Sequence, residues 1–160
     1  MFRTTEKGSF MSRRGRRSIY WGAFVLGWFE YLRDSDLTGS DYKILFYLCE
    51  KMEFTGNRVL LKQKEITEDL YMDKGNVSKC IKRLGKKQFI VKISNGFMIN
   101  PHLFYVGKSH PADRTALREV FDNAIIKNGM NPLFYMSEVD SELEYGNQDY
   151  HIGEDNIPGF

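Results

Sequence analysis

Lys74, Lys79, Lys82 and Arg83 recur within ten residues, with Gly75, Asn76 and Ser78 between them. Side chains of this kind do not suggest covalent chemistry. Lys and Arg neutralise phosphates and release their counterions, which gives affinity for a polyanion. The amide of Asn76 pairs a donor with an acceptor and so matches an adenine edge, while a lysine matches guanine. The chemistry on offer is recognition of duplex DNA. A solvated basic helix face would look the same if these residues stood alone, so the elements that position them decide the matter.

The apolar residues Ile66, Leu70, Val77, Ile81 and Leu84 recur at helical spacing around them. They predict one helix over 63–70 and a second from Lys74 to about Lys87, joined by a tight connection at Tyr71 to Asp73. Asp73 is placed to cap the second helix. Upstream, a helix is expected within 36–52, with Thr38, Ser40 and Asp41 as cap candidates and Ile44, Leu45, Leu48 and Met52 on its inner face. Residues 58–61, RVLL, read as a short strand. Downstream, "FIVKISNGFMI" holds two apolar runs split by Asn95-Gly96, the turn pair of a type I′ hairpin. Residues 100–108 read as extended, because Asn100 precedes Pro101. A last helix is expected over 113–127, with Leu117, Val120, Phe121, Ala124 and Ile125 as its stripe.

The order helix, strand, helix, tight turn, helix, hairpin is that of a winged helix-turn-helix. The expected fold class is therefore α+β, mostly helical, a winged helix-turn-helix domain with N- and C-terminal extensions. If the second helix of the pair hides its apolar side, its other face presents Lys74, Gly75, Asn76, Ser78, Lys79, Lys82 and Arg83 to a major groove. Lys62, Gln63, Lys92, Ser94 and Asn95 would meet the DNA backbone from the helix start and the hairpin tip.

At 160 residues, 42% apolar and 28% charged, the chain suits one domain with extensions. The net charge of +2 hides a split. Residues 1–17 carry six Lys/Arg against one Glu, and residues 58–92 carry ten against four acids. Residues 137–160 carry seven acids and no Lys or Arg. The expected organisation is a flexible basic arm over 1–18 containing Arg13, Arg14, Arg16 and Arg17, the winged domain over 19–108, a C-terminal helical segment over 109–136, and an acidic, disordered tail over 137–160. The helical segment has no evident partner within the domain, which favours a homodimer, with two reading helices meeting successive grooves roughly 34 Å apart. Tyr20, Trp21, Phe24, Trp28 and Phe29 join that interface or the core.

The apolar run 19–32 after "RRGRR" imitates a signal peptide, but it holds two glycines and two tryptophans, runs into Glu30 and lacks a small-residue cleavage site. No membrane partner is expected. Cys49 and Cys80 have no CxxC spacing and read as reduced, buried thiols of a reducing compartment.

The pattern formed by Gln63 to Ile66, Leu70, Val77-Ser78, Ile81, Leu84 and Ile90 resembles bacterial winged-helix proteins of the MarR and replication-regulator type. More specifically, "LTGSDYKILFYL" and "GFMINPHLFYVGK" resemble the Firmicute plasmid replication and maintenance proteins of the RepL type, over roughly 24–108. The shared exit is Ile99-Asn100-Pro101 followed by Phe104-Tyr105 and Gly107. The resemblance implies sequence-specific binding at a plasmid origin or promoter, with 74–83 as reading helix and host replication proteins as further partners. Two positions depart from the pattern. Tyr71 stands where a glycine usually takes a positive φ, implying a longer or differently shaped turn. Lys62 replaces a Ser or Thr cap.

An enzyme is not expected. A nicking centre needs a His-x-His metal pair beside a nucleophilic tyrosine, and His102, His110 and His151 are never two apart. No GxxxxGK[ST] phosphate loop occurs. No metal or cofactor is therefore called for. The remaining alternatives are a MarR-like transcriptional repressor, which binds operators by the same chemistry, and a winged-helix module that docks proteins.

Overall fold

A computed structural model describes residues 22–53, 56–106, 111–137 and 142–145. Along these the chain forms β1 (Ala23–Phe24), α1 (Gly27–Asp34), α2 (Gly39–Glu50), β2 (Arg58–Val59), α3 (Gln63–Leu70), α4 (Lys74–Lys86), β3 (Ile90–Ile93), β4 (Gly96–Ile99), β5 (Phe104–Tyr105), α5 (Pro111–Lys127), β6 (Phe134–Ser137) and β7 (Glu142–Tyr145). The class is α+β and mostly helical, as expected, and the order from α2 to β4 is that of a winged helix-turn-helix scaffold. The basic arm, with Arg13, Arg14, Arg16 and Arg17, lies outside the described residues, as do Tyr20 and Trp21.

Local chemistry sets the helix starts. Thr38 caps α2: its hydroxyl accepts from the Asp41 N–H, and the Asp41 carboxylate accepts from the Thr38 N–H at 2.8 Å. Each bond satisfies an amide that the helix leaves without an internal partner. Asp73 caps α4 by accepting from the Asn76 N–H at 3.1 Å. Lys62 has no acceptor to offer at the start of α3. The Glu65 carboxylate supplies half of the arrangement instead, taking the Lys62 N–H at 2.7 Å.

The α3–α4 connection corrects one expectation. The turn is not lengthened or reshaped to spare Tyr71. That residue takes φ 51° and ψ 42°, the left-handed conformation. For a side chain with a Cβ this costs about 1–2 kcal/mol.

Three antiparallel strands lie in the order β2-β4-β3, so the strand before α3 closes the sheet against the far strand of the hairpin. The hairpin forms where expected, but its turn is shifted by one residue. Ile93 pairs with Gly96, leaving Ser94 and Asn95 as the loop, and Asn95 does not take a positive φ. Gly96 is instead the first strand residue, and a Cβ there would stand 2.1 Å from the Val59 carbonyl oxygen. Close approach to β2 and a backbone φ of 156° both demand glycine there.

Because side chains alternate across a sheet, the hairpin divides its residues between two cores. Ile90, Phe97 and Ile99 face the main core with Trp28, Ile44, Leu45, Leu48, Ile66, Val77, Ile81 and Leu84. Val91 and Met98, paired across the strands, turn to the other side and meet Phe121, Ile125 and Met130. The stripe on α5 therefore has its partner within the domain. The expectation that it faces a second copy fails for Phe121 and Ile125, which are fully buried here, although Val120 remains exposed. The expectation missed this because the covering residues lie in the hairpin, well separated in sequence. His102 adds a polar tie, with Nε2 2.9 Å from the Asp122 carboxylate.

Residues 100–108 are less extended than expected. Pro101 to Leu103 turn, and β5 then pairs with β1, Phe24 opposite Phe104. Trp28 goes to the core, whereas Phe24 and Phe29 stay half exposed, with the Phe24 and Phe104 rings 4.3 Å apart. Within the stretch expected to be disordered, Glu142–Tyr145 is a strand, paired with Phe134–Ser137. Among the described residues no helix is long and apolar enough to cross a membrane.

Candidate nucleic-acid interface

Helix α4 is the element on which the interface turns. Val77, Cys80, Ile81, Leu84 and Gly85 are buried, and the remaining positions face outward or sideways. Lys74, Gly75, Asn76, Lys79 and Lys82 are exposed; Ser78 and Arg83 are half-buried. A helix advances about 100° per residue. On that wheel Gly75, Lys79, Lys82 and Lys86 fall within about 60° of one another. Lys86 was not singled out from the sequence, although the same spacing reaches it. It is half-buried.

Asn76, Cys80 and Arg83 lie along one edge of this face, and that edge abuts the start of α2. The Asn76 side-chain amide reaches the Ser40 hydroxyl at 3.5 Å, the outer limit of a hydrogen bond. Arg83 Nη1 donates to Asp41 Oδ2 at 2.7 Å. Asp41 is fully buried, so its charge has to be matched by close partners. Burial by itself would raise the Asp41 carboxyl. Hydrogen bonds from the Thr38 N–H, Arg83, Cys80 and the Thr38 hydroxyl outweigh it and hold the group below the usual carboxylate range. The same contact raises Arg83.

This bears on one residue of the sequence-derived face. Arg83 is not a freely projecting cation. It ties α4 to α2, and Lys74, Lys79 and Lys82 are the exposed cations of the helix. Nothing in the local sequence marks the difference, because Asp41 is 42 residues away.

The two cysteines are unpaired thiols. Burial pushes Cys49 up to about 12. Cys80 is pushed up to about 11, first by burial and then by the Asp41 carboxylate beside it.

The backbone-contact candidates lie at the surface. Lys62 is exposed and Gln63 half-buried at the start of α3; Lys92, Ser94 and Asn95 are exposed at the hairpin tip. Tyr71, missed as a site residue and treated only as a departure from pattern, is 96% exposed immediately ahead of α4. Among the described residues no three His, Cys, Asp or Glu side chains group as metal ligands.

Helices α2, α3 and α4 with the β2-β4-β3 sheet, and exposed lysines on the outer side of the second helix of the tight pair, form an α+β arrangement compatible with a winged-helix-like fold. The family model of the Firmicute plasmid replication protein (RepL) matches residues 17–126. The chain belongs to that family, and its role is in plasmid replication. The match extends past the resemblance read from 24–108 and takes in nearly all of α5, the helix that closes the second core. No curated protein and no solved structure matches the chain.

Proposed function

We propose that this protein binds double-stranded DNA sequence-specifically at a plasmid origin or promoter and acts in initiating or controlling replication, without a catalytic step of its own. The single observation that carries this reading is the two-sidedness of α4. Its apolar face is wholly consumed by the core while Lys79 and Lys82 project from the other side, and Lys74 is exposed at its first residue. Ion-pair donors that stabilise nothing inside the fold are what a phosphate-binding surface requires.

Lysines supply affinity without reading sequence, so the proposed roles divide. Lys79 and Lys82 meet phosphates on either wall of the groove. Asn76, at the helix's leading turn, meets a base edge, its amide oriented by Ser40. Lys62, Lys92, Ser94 and Asn95 contact flanking backbone, the hairpin serving as the wing. A cytoplasm reducing enough to keep Cys49 and Cys80 as thiols is the setting this implies.

The test is duplex binding followed by anisotropy across a salt series. Affinity should fall steeply between about 50 and 200 mM salt. Lys79→Ala with Lys82→Ala should weaken every duplex by about ten-fold or more. Asn76→Ala should instead relax preference at one base pair of a site selected from a random pool. Salt-independent binding, or a double variant that binds like the parent, would exclude the reading and favour a protein-docking module.

A further inference from the structure

Tyr71 joins two features that seldom occur together. Its backbone sits at φ 51°, where glycine or asparagine is the comfortable residue. Its side chain is 96% exposed and, among the described residues, makes no hydrogen bond and no ring contact. The fold therefore carries the strain of a Cβ in the left-handed region and receives no packing from the ring in return. Residues held in such conformations cluster where the strained group acts on something outside the fold.

What lies outside follows from position. Tyr71, Asp73, Lys74, Gly75 and Asn76 are all exposed and lead straight into the start of α4. In a helix-turn-helix that end of the reading helix enters the groove, so a side chain three residues ahead of it stands at the groove's rim, where the sugar-phosphate chain runs. Asp69 accepts the Tyr47 hydroxyl, and Asp73 is turned to the Asn76 amide. Tyrosine hydroxyls are regular donors to phosphate oxygens.

We infer that Tyr71 is a DNA-positioning residue whose hydroxyl donates to a backbone phosphate at the rim of the groove that α4 enters. The inference rests on the DNA-binding reading above. It assigns the turn a part in setting the depth and angle of the reading helix, a task that a glycine at the same position leaves undone.

Two substitutions separate the side chain's binding role from its effect on the backbone. Tyr71→Phe removes only the hydroxyl; duplex affinity should drop about five-fold, equally for specific and random sequence, since a phosphate contact carries no sequence information. Tyr71→Gly relieves the backbone, so its Tm should equal or exceed the parent's while affinity falls at least as far as for Tyr71→Phe. A phenylalanine variant with parental affinity overturns the inference, as does a glycine variant with parental affinity. Lys79→Ala with Lys82→Ala runs alongside. If that pair loses binding and Tyr71→Phe does not, only the tyrosine's role fails. If neither loses binding, the DNA-binding reading itself fails.

Discussion

Arg83 on α4 and Asp41 on α2 meet at 2.7 Å, with the carboxylate fully buried and the guanidinium side chain 37% exposed. One carboxylate thus performs two tasks. It closes the cap of α2 through the Thr38 N–H, and it anchors α4 through Arg83. The orientation of the cationic face is tied to the start of a helix that contributes no residue to that face.

Removing either partner should therefore cost stability. Arg83→Ala leaves a buried carboxylate short of its cation and should lower stability by about 2 kcal/mol, whereas Lys82→Ala, one position away, should change it by less than about 0.5 kcal/mol. Because the folded Asp41 sits below its unfolded value, its contribution is fully present above about pH 4 and is lost as pH falls through the lowered folded value. The parent's Tm should decline on acidification below about pH 4, and Asp41→Asn should remove part of that decline. Thermal melts across pH 2.5–7 (about) read both effects, and identical slopes for parent and variant would contradict the linkage.

Gly96→Ala tests the close approach of the hairpin to β2. Relief of a Cβ placed 2.1 Å from the Val59 carbonyl oxygen requires backbone to move, since no flexible side chain can give way. The expected loss is about 2 kcal/mol or more, read by denaturant unfolding. Asn95→Ala, at a position without a positive φ, should cost much less, and equal losses would restore the turn to Asn95-Gly96.

Phe121→Ala distinguishes a core helix from an interface helix. Phe121 packs among Val91, Met98, Ile125 and Met130. Truncation should lower stability by about 3–5 kcal/mol. The oligomeric state by light scattering should not change. A change of mass with little loss of stability would return the stripe to a second copy.

The thiols give a prediction that needs no substitution. With Cys80 raised to about 11 and Cys49 to about 12, neither is appreciably thiolate at pH 8 (about), and the thiolate is the reactive form. Native protein should react slowly with a disulfide reagent, and denaturant should release two fast equivalents. Fast reaction of the native protein at either cysteine would mean a more open packing between α2 and α4.

The outcomes of the sequence reading divide along physical lines. Helix positions followed from local chemistry. Capping by Thr38 and Asp73, and apolar spacing such as Ile66 with Leu70 and Val77 with Ile81 and Leu84, are interactions within a few residues and so are written in neighbouring letters. The exposed side of α4 followed as the complement of its buried side. Interactions between distant segments were not legible. Whether Arg83 projects or anchors depends on Asp41, which the fold brings from 42 residues away. Whether the stripe on α5 seeks another molecule depends on Val91 and Met98, whose facing is set by strand register. The demand for glycine at 96 arises from the Val59 carbonyl across the sheet together with its own positive φ, though the letters Asn95-Gly96 pointed to a turn. Tyr71 was legible only as a misfit. Its left-handed backbone ends α3, with the Tyr71 N–H donating to the Glu68 carbonyl and the Met72 N–H to that of Thr67. Sequence by itself determined the helices and the character of their faces; tertiary packing decided which cations remain available to a ligand, because only packing determines which charges are already matched.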